Sequence, residues 1–80
     1  MAVYSKSSRF IVDGKALSEA RTAANLRLED VALQLGCNKS QVSRWEQGLL
    51  VPSEERIFQM AELLRSWAFV RGNPHYKFPK

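Results

Sequence analysis

The stretch "GCNKSQVSRWEQG", residues 36–48, has a glycine at each end and only two strongly apolar residues, Val42 and Trp45, between them. Glycine takes the left-handed conformation without steric cost, so both glycines are natural helix ends. Asn38 is a good N-cap, and the segment predicts a helix from Lys39 to about Gln47 that Gly48 ends. At about 100° per residue, Val42 and Trp45 point one way with Glu46 beside them. Ser40, Ser43, Arg44 and Gln47 point the other way, and Lys39 and Gln41 sit on the flanks. A short helix with so polar a face is ordinarily just solvated. Its context decides whether that polarity has a use.

The residues before it form a second helix. "LEDVALQL", residues 28–35, has Glu29 and Asp30 in its first turn, where the helix dipole favours acids, and Val31, Ala32 and Leu35 as core positions. Between this helix and the next lie only Gly36, Cys37 and Asn38. A connection that short forces a sharp angle, the helix-turn-helix arrangement. Upstream, Asp13 caps a helix carrying "KALSEARTAA", with Ala16, Leu17, Ala20, Ala23 and Ala24 on one side, ending near Asn25. Downstream, "LLVPSEER" is a connection. Ser53 then caps a fourth helix whose Ile57, Phe58, Met60, Ala61 and Leu64 recur at helical spacing and which runs to Trp67 or Ala68.

Length and charge narrow the classes. At 80 residues the chain is one domain, and a domain of this size buries only about 60% of its unfolded surface. The net charge is +4 and the isoelectric point about 9.6, which suits an anionic partner. Residues 13–62 hold six basic and eight acidic side chains, so the excess sits in the terminal segments: Lys6 and Arg9, then Arg65, Arg71, Lys77 and Lys80. The division is an N-terminal arm at 1–12, a helical domain at 13–68 and an aromatic, basic tail at 69–80. Cys37, the single cysteine, has no internal disulfide partner and reads as a packed, inert thiol. His75 has no second ligand at metal spacing, and Ser5, Ser7 and Ser8 have no activating His/Asp arrangement. No cofactor, metal or catalytic residue is expected. With neither a long apolar run nor a signal-peptide core, a cytoplasmic protein without a membrane span is the expectation.

The outward set of the third helix has the chemistry of a major-groove reader. Glutamine pairs with adenine through two hydrogen bonds, arginine does the same with guanine, and serine bonds several base edges. Residues 17–64 resemble the helix-turn-helix family of phage repressors and Cro proteins, the XRE family. The resemblance rests on Leu17 and Arg21, Val31-Ala32, Gly36, Val42, Trp45-Glu46, Gly48, Pro52 and the apolar stripe that follows. It implies an all-α, lambda-repressor-like bundle of four or five helices, with short β arms at the termini, and the third helix in the major groove of double-stranded DNA. On matching positions it implies Lys39, Ser40, Gln41 and Arg44 as base-contacting or groove-lining residues, with Ser43 secondary. Gln47 and the backbone near Gly48 would contact phosphate. It also implies a largely buried ion pair between Arg21 and Glu46, which makes Glu46 structural rather than a reader.

Two positions depart from the family. Its usual Ser or Thr N-cap before the second helix is Arg27 here, and its frequent glutamine at the next position is Leu28. The bridge that glutamine makes is absent, and Arg27 is expected to reach phosphate by charge instead. The expected function is sequence-specific transcriptional regulation by a homodimer on a palindromic operator. Within the same fold stands an antitoxin, with the aromatic tail docking a toxin protein; from another class, a protein-bridging adaptor. Tyr4, Phe10, Trp67, Phe69, Tyr76 and Phe78 lie outside residues 13–66. They are expected to dimerise with some folding back, "RFIV" pairing with "HYKF", while DNA phosphates are the third use for the basic residues among them.

Overall fold

The computed structural model describes residues 9–74 and residue 76. Tyr4, Ser5, Lys6, Ser7, Ser8, His75, Lys77, Phe78 and Lys80, and with them part of the proposed toxin-docking tail, lie outside the described residues. In chain order the elements are β1 (Phe10–Val12), α1 (Gly14–Ala23), α2 (Leu28–Leu35), α3 (Lys39–Gln47), α4 (Glu54–Leu64) and β2 (Val70–Gly72). Four helices enclose one core built on Leu17, Val31, Val42, Trp45, Ile57 and Met60, each 2% exposed or less.

The caps explain why the helices begin where they do. Asp13, Asn38 and Ser53 each accept a hydrogen bond from the backbone N–H three residues on. That satisfies one of the donors a helix start leaves free. At α2 the N-cap is Arg27, which has no acceptor to offer, and the third residue of the helix compensates. Asp30 Oδ2 accepts the Arg27 backbone N–H at 2.8 Å, which with the Arg27 guanidinium holds the Asp30 carboxyl below its usual range. At the other end of α2, the Arg56 guanidinium donates to the Leu35 carbonyl. A cation on the last carbonyls of a helix opposes its dipole favourably.

The fourth helix is shorter than its apolar spacing predicts. It stops at Leu64 because Arg65 turns left-handed, with φ 52°. A non-glycine residue rarely adopts that conformation, so no glycine marks the stop. The chain then folds Phe69 into the core at 0% exposure and returns as β2.

The sheet shows folding back. β1 pairs antiparallel with residues 70–72, Ile11 opposite Arg71, while "HYKF", the expected partner, lies outside the described residues but for Tyr76. Phe69 explains the pairing with 70–72: once it is anchored, its carbonyl accepts from Asp13 N–H at 2.8 Å and sets the register. Asp13 also receives Arg71 Nη2 at 3.2 Å, so one side chain caps α1 and clasps β2. Arg9 pairs with Glu54 at 2.8 Å, joining β1 to the start of α4 and holding the Glu54 carboxyl below its usual range. Phe10, Phe58 and Trp67 form a ladder of ring contacts at 5.8 and 5.6 Å along the same side. Residues 9–12 and 69–72 are thus packed on the helices and not splayed from them.

One contact brings α1 against α3 at backbone distance. A Cβ on Gly14 would lie 2.3 Å from the Glu46 carbonyl oxygen and 2.9 Å from that of Trp45. Only glycine allows that approach, because the obstacle is main chain and cannot rotate away. We expect Gly14→Ala to destabilise the fold by about 1–3 kcal/mol, the usual cost of forcing extra volume into a packed site. Gly72→Ala is the control, since nothing lies within 4 Å of a Cβ there. Thermal melts of the two variants should show a drop for the first and little change for the second.

Candidate nucleic-acid interface

The three-residue connection between α2 and α3 is tightly specified. Gly36 ends α2 at φ 72°, and Cys37 N–H reaches back to the Ala32 carbonyl at 2.9 Å. The Cys37 side chain packs, partly buried, against the core. Asn38 Oδ1 then accepts from Gln41 N–H at 2.9 Å and starts the next helix. Gly48, at φ 76°, ends it, with Leu49 N–H bonded to the Arg44 carbonyl at 2.9 Å. Both ends of α3 are therefore set by groups outside its outward face.

The inward face has three anchors. Val42 is 0% and Trp45 2% exposed. Glu46 meets Arg21 in a bidentate pair, 2.6 Å from Nε and 3.2 Å from Nη2. The side chains are 17% and 11% exposed for Arg21 and Glu46, so the pair is largely desolvated. Arg21 Nη1 also donates to the Leu26 carbonyl at 2.9 Å, tying the entry of α2 to the same guanidinium. The hydrogen bond from Glu46 raises Arg21 above its ordinary range, against the opposing effect of burial.

The outward face gathers most of the residues singled out by spacing. Lys39, Ser40, Arg44 and Gln47 are exposed, while Gln41 and Ser43 are half-buried. Lys39, Ser40, Ser43, Arg44 and Gln47 line one shallow cleft together. Gln41, Arg27 and Gly48 stand outside its lining. Gln47 Nε2 donates to Ser43 Oγ at 2.7 Å, so these two side chains hold each other in place along the helix. Among the described residues, Lys39 and Arg44 make no ion pair. Arg27 is different: three-quarters exposed, it sits 3.5 Å from Glu29 and 3.4 Å from Asp30. Its charge is partly answered within the protein.

Two further residues line the cleft that spacing alone passed over. Leu28 stood only for a missing glutamine, and Leu49 only for a connection, yet both face the same concavity. The available signal was two leucines directly after a helix-ending glycine, of which Leu49 is 61% exposed.

A helix-turn-helix family model matches residues 17–66, from the first helix through the last. The chain belongs to the XRE/Cro-like helix-turn-helix family. Members of this family are DNA-binding regulators, and the chain is a DNA-binding transcription regulator of the XRE type that acts on double-stranded DNA. Comparison with curated proteins finds no match. Among the described residues no helix of this family member is long and apolar enough to cross a membrane, and no group of three His, Cys, Asp or Glu side chains is placed to hold a metal ion.

Removing one partner of the Arg21–Glu46 pair strands the other charge in a desolvated site. Glu46→Ala should cost ~3–5 kcal/mol of stability, read as a lower urea midpoint. An unchanged midpoint would show that the pair holds nothing together.

Proposed function

We propose that the protein is a homodimer that places two copies of α3 in successive major grooves of a palindromic operator. Lys39, Ser40, Gln41 and Arg44 contact or line the groove, and Ser43 assists. Arg27, Gln47 and the backbone at Gly48 hold phosphate. The observation that supports this best is the sorting of charge on α3. Its one acid, Glu46, is turned inward onto Arg21, while its two bases, Lys39 and Arg44, face outward without an ion pair among the described residues. A polyanion meets donors and cations on this face and no free carboxylate. A purely solvated helix has no need of that arrangement.

The two-fold reading follows from recognition geometry. Two such helices reach equivalent half-sites when their centres are one DNA turn apart, about 34–36 Å, which makes the operator a palindrome. The antitoxin alternative draws on the aromatic tail, of which residues 75 and 77–80 lie outside the described residues; the adaptor alternative uses the same helices on protein surfaces, and no observation favours either.

Selection of bound duplexes from a random pool tests this directly. The wild-type chain should enrich inverted repeats. Gln41→Ala and Arg44→Ala should each relax preference at particular base positions, by about 1–3 kcal/mol of discrimination for a bidentate contact. Unaltered preference in both variants would remove α3 from the readout. Arg27→Ala tests phosphate contact, for which its guanidinium must exchange Glu29 and Asp30 for the DNA backbone. It should weaken binding uniformly across sequences and lower the salt slope by about one. A loss confined to one sequence would contradict that role.

A further inference from the structure

We propose that Leu28 and Leu49 read methyl groups in the major groove, so that the operator carries thymines at positions these two side chains face. This rests on α3 being the reading surface. Both leucines line the same cleft as Lys39, Ser40, Ser43 and Arg44. Their positions are set by the fold. Leu28 is the first residue of α2, half-buried, with part of its surface packed against the core. Leu49 is 61% exposed and takes no part in the core, but its backbone N–H is fixed to the Arg44 carbonyl at 2.9 Å.

An apolar side chain in a polar cleft has few useful partners on a duplex. Against phosphate or a base donor it strips water and returns no hydrogen bond, which is unfavourable. The base edges of the major groove offer one apolar group, the C5 methyl of thymine, which cytosine lacks. Burying that methyl against leucine gains free energy that no other unmodified base edge supplies there. The polar residues of α3 and the two leucines then read different features: hydrogen-bonding patterns along the helix, methyl groups beside it. Leu28 thus acquires a use of its own where the family's glutamine is missing.

The experiment uses a duplex recovered from the selection described above, with each thymine replaced singly by deoxyuridine. That change removes the methyl and leaves every hydrogen-bonding group. Binding by the wild-type chain should weaken about fourfold at one or more thymines per half-site, the worth of one buried methyl-sized group. Leu49→Ser, at an exposed position, should abolish the effect at one of them, and Leu28→Gln at another, with thermal melts confirming that both variants fold. No weakening at any deoxyuridine, or unchanged sensitivity in both leucine variants, would overturn the proposal. The two readings fail separately. If Arg44→Ala and Gln41→Ala alter base preference while deoxyuridine is silent, methyl reading falls and the α3 surface stands. If neither variant alters preference, the surface itself falls.

Discussion

Arg21 and Glu46 meet at 2.6 Å with most of their surface removed from water, and three parts of the chain depend on that meeting. The guanidinium belongs to α1, its third nitrogen holds the carbonyl that leads into α2, and the carboxylate belongs to α3. A desolvated charge tolerates no vacancy in its partner's place. The pair therefore sets the position of α3 on α1 more strictly than apolar packing alone would. Gly14 reinforces the same junction from the main chain, letting the start of α1 approach the last carbonyls of α3 more closely than any side chain would allow. The outward residues of α3 inherit their placement from contacts in which they take no part.

The terminal segments alter the electrostatic picture drawn from composition. Much of the positive excess belongs to them, but Arg9 and Arg71 face Glu54 and Asp13 across the fold. Both pairs are substantially exposed and contribute little stability individually. Their effect is to spend positive charge on joining strands to helices. Among the described residues, Lys39 and Arg44 stay outward on α3 without an ion pair, so the local sign of the proposed reading face is set there and not by net charge.

The bounds of α2 and α3 were legible because glycines and a cap mark them: Gly36, Asn38 and Gly48 each act locally, at the position they occupy. The inward phase of Val42 and Trp45 was legible for the same reason, since helical periodicity is a local property. The end of α4 was not, because Arg65 takes a left-handed conformation that residue type does not announce. The partner of β1 was not, because it depends on where Phe69 is buried, a contact between opposite ends of the chain. The need for glycine at position 14 was not legible either, since only the three-dimensional approach of α3 shows why a side chain is intolerable there. In the site, the polar lining was visible in spacing. Leu28 and Leu49 were not, because the cleft joins residues from three separate segments.

The division of labour on α3 bears on how such a protein changes over evolutionary time. Asn38, Val42, Trp45, Glu46 and the two flanking glycines hold the helix, and the bond from Asn38 goes to the main-chain N–H of residue 41, whatever side chain that residue carries. The outward positions are thus free to vary without a folding penalty of the kind the inward positions impose. On the proposed reading, a lineage exchanges one operator for another by substitutions at the outward positions of α3, while duplicated copies keep the same scaffold and diverge in what they recognise.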